Sequence, residues 1–598
     1  MNGRIGLALA LPLAALAAGD EVRTVAVPPA YARREMCVTA DGEIRHYGFA
    51  LDAQGRKRRV YVASRDGGTN WTTRTADPKD VGAMVKSPWS DRWVALSDSG
   101  GKTPVTAWIS EKGPGDAAAK AIVQKDGLSC EPRPPLALRS RRRWVSPASC
   151  VGGPNGYEAR VFLSDDDGET WRLVVVPDTV PLPEKRDCDA MPLWRNPACE
   201  PSIAELSDGT LLMAVRCSEG HHWFYRSSDG GETWGKPERG DPFHATNTMP
   251  LLFRLRDGRL LFFWNNADPL PRLAPENYPE LGKDELRGRW ESVFTNRDAL
   301  HAAISEDDGR MWRGFREVAL NPIRNAADFR ELGNFADQEI DKSVHQSQAI
   351  ELPDGKVLLA AGQNVASRRI YVVDPEWLYA TNRVEDFRHG LGNLTTHLFV
   401  KSLSGGWRGW AGHCAWNRAP GALLVKDPFE VSAREVLQLC RIPDPRLVSD
   451  RQGVVWNFPA FRRGEVRLTV RRAGGEAPGG VFGVVRRLFP RGEGAGFRLS
   501  LCDRWLNASD LRAREVAMFT IPVEGELLPC GAWHELVVRW NCDARTAEVL
   551  LDGRTLRRLP LLADYEFGPS YLHLQTLASG MDAAGCYFRG FAFSKVVE

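Results

Sequence analysis

The stretch Cys199-Glu200-Pro201-Ser202-Ile203-Ala204-Glu205-Leu206-Ser207-Asp208-Gly209-Thr210-Leu211-Leu212-Met213-Ala214-Val215-Arg216 carries a carboxylate near its start and a guanidinium at its end. The Asp-Gly turn between two apolar runs predicts a hairpin, so Glu200 and Arg216 return to the same open end. A guanidinium presents a flat fork of donors that matches a carboxylate bidentately, and it stays charged at any relevant pH. The bland alternative for a single arginine is pairing with a neighbouring carboxylate. A second stretch, Lys342-Ser343-Val344-His345-Gln346-Ser347-Gln348 before the Pro353-Asp354-Gly355 turn, offers an imidazole. Its reference pKa of ~6.5 suits a base near neutrality; the alternative is an ordinary hydrogen-bonded histidine.

The elements that must hold these groups announce themselves as a repeat. The pattern Ser-x-Asp-x-Gly-x-x-Trp stands at Ser64–Trp71, Ser164–Trp171, Ser227–Trp234 and Ser305–Trp312. Each copy follows a short alternating run such as Val60-Tyr61-Val62-Ala63, which reads as a strand. Asp can accept from turn N–H groups, Gly can take positive φ, and Trp can plug the space between sheets. The EF-hand ligand spacing is absent, so the boxes read as turns rather than calcium loops. Strand runs and boxes predict six units near residues 35–71, 81–125, 131–171, 199–234, 247–312 and 343–385. The run Thr24 to Val27 is expected to close the ring as an outer strand.

Composition agrees. The 598 residues hold 20 Trp and 56 Gly, with 78 Lys+Arg against 76 Asp+Glu, 43% apolar and 26% charged. Near-neutrality leaves nucleic-acid binding without an electrostatic footprint. Residues 1–18, with Arg4, an apolar run from Ile5 to Leu16 and a small-x-small site at Ala15-Leu16-Ala17, read as a signal peptide. A secreted or periplasmic protein with no membrane span is expected. The 12 Cys are scattered without a Cys-x-x-Cys pair, so disulfides are permitted but their pairing is open.

The four boxes resemble the Asp boxes of the sialidase (neuraminidase) superfamily, where they join the third and fourth strands of propeller blades on the face away from the site. That resemblance covers residues ~30–400. In a blade, strand-one starts and strand-two-to-three connections share the opposite face, which carries Glu200 and Arg216. The Glu200–Arg216 segment is similar to the sialidase segment holding the buried Glu and the second arginine of a triad. Thr295-Asn296-Arg297-Asp298 resembles the place of the third, and Arg34, or alternatively Arg33, that of the first, although the usual Arg-x-Pro is missing.

The resemblance further implies Asp52, in the strand-two-to-three turn of blade one, as general acid; an Asp-x-x-Gly turn is the competing reading. The tyrosine nucleophile position falls on Gln346, beside His345. Without tyrosine, His345, Gln346 and Glu200 are expected to orient a water for direct attack. His222, with His221, lies in the corresponding connection of blade four, and His244 and Asn247 precede blade five; these are expected near substrate. An insert from Asn265 to Arg297 is expected to wall the pocket. Beyond the boxes, Trp533-His534-Glu535-Leu536-Val537-Val538 resembles laminin-G-like or concanavalin-like sandwiches.

The expectation is therefore an all-β chain: signal peptide 1–18, six-bladed β-propeller 19–404, linker 405–424 and β-sandwich (jelly-roll) 425–598. The family implies a secreted exo-glycoside hydrolase, an exo-α-sialidase acting on sialylated, mucin-like glycans or glycoproteins. Arg34, Arg216 and Arg297 would hold the sugar carboxylate, with no cofactor or metal. The alternatives are a glycosidase for another acidic or deoxy sugar, and a glycan-binding propeller without catalysis.

Overall fold

The computed structural model describes residues 22–29, 36–97, 105–116, 118–121, 129–153, 156–177, 198–217, 220–268, 296–327, 343–363, 367–400, 418–430, 434–474 and 493–597. The segment 1–18, Arg33, Arg34, Cys188, Cys414, the insert between Asp268 and Asn296 and linker residues 405–417 lie outside these.

Six antiparallel sheets follow one another as a ring of blades. Their inner strands begin at Met36, Val85, Ser129, Cys199, Leu251 and Gln348. Blade six has only three strands of its own, and Val22–Ala26 supplies the fourth by pairing antiparallel with Arg369–Val373. The chain start therefore closes the ring, which leaves no blade with an open edge at the joint.

Each box sits between the third and fourth strands of its blade and closes on itself. Ser64 Oγ accepts from Gly68 N at 2.9 Å and donates to Asp66, whose Oδ1 accepts from Asn70 N at 2.8 Å. The same bonds recur from Ser164, Ser227 and Ser305. The carboxylates are spent on the turn, as the sequence reading expects. The tryptophans pack between blades: Trp71 against blade six, Trp171 between two and three, Trp234 between three and four, Trp312 between four and five.

The box residue before the second conserved position lies at positive φ in all four copies: Gly67, Asp167, Gly230 and Asp308. Where it is Asp, the strained backbone is used. Asp167 is buried and accepts from Ser87 Oγ at 2.7 Å, Ser90 Oγ at 2.5 Å and Trp144 Nε1 at 3.0 Å, tying blade three to blade two. Asp308 likewise accepts from Ser207 N at 3.0 Å and from its hydroxyl, tying blade five to blade four. A Cys130–Cys150 disulfide joins the first two strands of blade three.

The second unit is a sandwich of two antiparallel sheets. One runs, in order, through Leu423–Lys426, Glu435–Arg441, Asp582–Lys595, Arg463–Arg472, His534–Asn541, Thr546–Leu551 and Arg554–Pro560. The other runs through Leu394–Thr395, Gly453–Asn457, Tyr571–Thr576, Phe497–Cys502 and Phe519–Val523. Inward alternation places Val466, Leu468, Val470, Leu499, Leu501, Leu536, Val538, Trp540, Leu572 and Leu574 in one core.

The boundary expected at 404–425 is corrected here. Asn382–Glu385 pairs with the end of Asp582–Lys595, and Leu394–Thr395 pairs with Gly453–Asn457, so both belong to the sandwich. Such short strands carry no turn motif, and the first has its partner some 200 residues away. The sandwich is bonded onto blade five: Asn457 Nδ2 donates to Phe315 O at 3.0 Å, Ala460 N to Gly314 O at 3.1 Å, and Tyr571 Oη to Glu317 at 2.9 Å.

These clasps make a stability prediction. Asp167→Ala strands two serines and an indole N–H at a blade joint and should cost about 2–4 kcal/mol in urea denaturation. Asp66→Ala, whose carboxylate bonds only within its own exposed turn, should cost about 1 kcal/mol. Equal losses would remove the inter-blade role.

Candidate active site at the centre of the ring

Glu200 is the second residue of the inner strand Cys199–Glu205, and the register with Leu211–Arg216 slips between Cys199 and Ser202. At this bulge Glu200 takes φ +43, which turns its side chain toward Arg216. Arg216 Nη1 lies 2.5 Å from Glu200 Oε2. The other oxygen, Oε1, accepts from Gln346 Nε2 at 3.2 Å and faces Arg133 Nη2 at 3.5 Å. All four side chains are buried.

Gln346 precedes the inner strand of blade six and has φ +59. Two non-glycine residues in left-handed backbone therefore meet at one hydrogen bond. Strain of this kind, about 1–3 kcal/mol each, persists where the surroundings over-determine it and clusters at functional sites. His345 beside it is 1% exposed. Burial pushes the Glu200 pKa up, but the fields of Arg216, Arg133 and His345 outweigh it and hold the carboxyl well below its usual range. Glu200 is an anion at every physiological pH.

Asn247 joins the two arginines expected to work together. Its Oδ1 accepts from Arg216 Nε at 2.6 Å, and its backbone oxygen accepts from Arg297 Nη2. Arg297 is fully buried, two residues before the blade-five strand Ala299–Ser305, and its carbonyl accepts from Val344 N at 2.7 Å. Arg216 and Arg297 thus converge rather than standing on opposite rims. The expectation of an open arginine fork is corrected at Arg216, because two of its nitrogens already hold Glu200 and Asn247. Asn247, expected to touch substrate, is placed as the link between these arginines.

Two further expectations change. Asp52 lies in the blade-one hairpin turn, accepting from Gln54 N at 3.0 Å and Arg56 N at 2.9 Å and pairing with Arg56 and Arg58. Those bonds, from the Arg56 amide first, pull its pKa down. A carboxyl held ionised by its own turn is unsuited to keep a proton for a leaving group. His222 is fully buried, with Nδ1 on Val215 O at 3.0 Å and its ring edge-on to Phe262. It is a core residue of blade four, not a substrate contact. Arg34 and the expected pocket-wall insert fall outside the described residues, apart from the insert's ends.

Sequence reasoning missed three residues. Arg133, on the inner side of blade three, comes from an Arg-x-Pro of its own, Arg133-Pro134-Pro135, a signal sought only at blade one. Arg368 donates to Gln346 O at 2.9 Å and Gly362 O at 2.8 Å, bracing the strained residue. His46 lies 3.0 Å from Arg368, its pKa driven far down by burial and then by that arginine. Nothing local distinguished the last two. His221 and His244 stack at 4.6 Å farther out, where His244 Nε2 meets Asp503 of the sandwich at 3.1 Å.

Two outcomes test this geometry. Glu200→Gln leaves two buried guanidinium groups facing a neutral amide and should cost about 3–5 kcal/mol of stability by urea denaturation. Burial holds the His222 pKa at about 4 against an ordinary 6.5. The unfolded chain then takes the proton first, so stability present above pH 6.5 is lost as pH falls toward 4. In His222→Phe that decline should be shallower, while ligand binding is unchanged; weakened binding would return His222 to the site.

Residues 130–359 match the BNR repeat-like domain family. Among solved structures, a Trypanosoma rangeli sialidase in complex with sialic acid is 13% identical over 95% of this chain and 92% of that one, with a TM-score of 0.34. A Hadza microbial sialidase is 14% identical over 58% and 66%, TM-score 0.39. An intramolecular trans-sialidase from Ruminococcus gnavus in complex with oseltamivir carboxylate is 12% identical over 58% and 96%, TM-score 0.37. No curated protein matches the sequence. Four boxes in register, a six-bladed ring and the BNR match together assign this chain to the sialidase superfamily.

Proposed function

We propose that the protein is an exo-acting glycoside hydrolase that releases a terminal acidic sugar, sialic acid in the first instance, from exported glycans or mucin-like glycoproteins. The observation that carries this reading is Glu200, a permanent anion at the ring centre held by Arg216 and Arg133 and hydrogen-bonded by Gln346 beside His345. Cationic side chains around the ring centre complement an acidic sugar. The Glu200 charge complements the positive character that develops at the anomeric carbon when the glycosidic bond breaks.

An amide is not a nucleophile, so Gln346 cannot form the glycosyl intermediate of a double displacement. Direct attack by water is the remaining route. In it Gln346 and Glu200 orient the water and His345 accepts its proton. Asp52 has no part, for the reason given above. An exported or periplasmic location, read from residues 1–18, would bring the site to such glycans.

The Gln346–Glu200 bond also favours a second reading, a propeller that binds glycans without cleaving them, since it fills the nucleophile position with an unreactive pair. Incubation with α-linked sialyl-lactose followed by NMR separates the two. Direct water attack should release the β anomer first. The α anomer appearing first overturns the mechanism, because it requires a double displacement. Measurable binding with no free sugar establishes the binding reading instead, and neither binding nor release removes both.

A further inference from the structure

We propose that Arg133 is a ligand-binding residue of this site and takes an anionic oxygen pair of the bound sugar, the carboxylate of an acidic monosaccharide. The assignment rests on the acidic-glycan reading above and says which side chain enforces it.

The guanidinium is buried in the cluster, 7% exposed. Its one charged partner is Glu200, at 3.5 Å. Nε, Nη1 and Nη2 have no hydrogen-bond acceptor among the described residues. A buried guanidinium left this way is expensive, because its desolvation is repaid only by acceptors at hydrogen-bonding distance. Burial pulls its pKa down and the Glu200 field only partly offsets this. Glu200 does not satisfy it, since Arg216 and Gln346 hold that carboxylate at shorter range.

The backbone beneath Arg133 is fixed on every side. Its N–H donates to Pro147 O at 2.8 Å, and its carbonyl accepts from Ser146 Oγ at 2.6 Å. The Cys130–Cys150 disulfide stands three residues upstream, and Pro134 and Pro135 follow directly. Those prolines offer no N–H, and the inner strand of blade three is interrupted there, between Ser129–Pro132 and Leu136–Ala137. The side chain therefore hangs from a rigid arm, with its donors presented beside Glu200. A planar carboxylate is the acceptor that matches a guanidinium fork with two parallel bonds. Such preorganisation costs little when the ligand arrives.

The test titrates the full-length protein calorimetrically with free N-acetylneuraminic acid and, separately, with its methyl ester, which keeps the shape and loses the charge. The wild type should bind the acid at least about tenfold more tightly than the ester. Arg133→Met should bring that ratio to about two or less, because the discriminating bonds are gone, whereas a purely structural role for Arg133 leaves the ratio as it was. An unchanged ratio in folded Arg133→Met overturns the proposal while the acidic-glycan reading stands. If Arg133→Met does not fold, Arg133→Lys, with the charge but not the fork, is read on the same ratio. A fall of at least half supports the assignment and no fall overturns it. A wild type that binds neither compound, or both alike, removes the acidic-sugar reading and this inference with it.

Discussion

Carrying a carboxylate into a protein interior costs several kcal/mol unless cations and hydrogen-bond donors meet it there. Glu200 is such a carboxylate, and the centre of the ring is organised around that requirement. Arg216 comes from the neighbouring strand of its own blade, Arg133 from blade three and Gln346 from blade six. Three blades must therefore be in correct mutual position before the charge is satisfied. The closure of the ring and the chemistry of its centre are one constraint.

The periphery supplies that positioning. Tryptophan plugs fill the spaces between blades, and Asp167 and Asp308 reach across joints where a glycine in the other boxes cannot. The chain start completes blade six, whose inner strand carries His345 and Gln346 at its entrance. The sandwich adds a second brace on blade five. Asp298, next to Arg297, is buried against Arg418 at 2.7 Å. Arg297 is thus held from behind by residues beyond the propeller, which gives the sandwich a mechanical part in the site whatever else it binds.

The charge pattern also limits the chemistry available. Glu200 stays ionised, so it can orient and stabilise but cannot donate a proton. Gln346 hydrogen-bonds that anion without the capacity to attack. Such a centre departs from a tyrosine-based site by exchanging a reactive hydroxyl for a fixed dipole at the same point of the ring.

The sequence by itself determined the repeat, the strand-turn chemistry of each box, the number of blades and the placing of Glu200 and Arg216 at one hairpin end. All of these are local: a turn of eight residues or a hairpin of eighteen specifies its own hydrogen bonds. Tertiary structure decided the rest. Asp52 was legible as a carboxyl in the right turn, but only the fold showed Arg56 and Arg58 holding it ionised. His222 alternates onto the inward face of its strand, where Phe262 of the next blade covers it. Arg133 and Arg368 lie 67 and 168 residues from Glu200 in the chain and reach its surroundings only because the ring closes. The strands 382–385 and 394–395 found the sandwich because their partners lie far down the chain. Local hydrogen bonding is written in neighbouring residues, whereas burial and electric field depend on what the fold brings alongside.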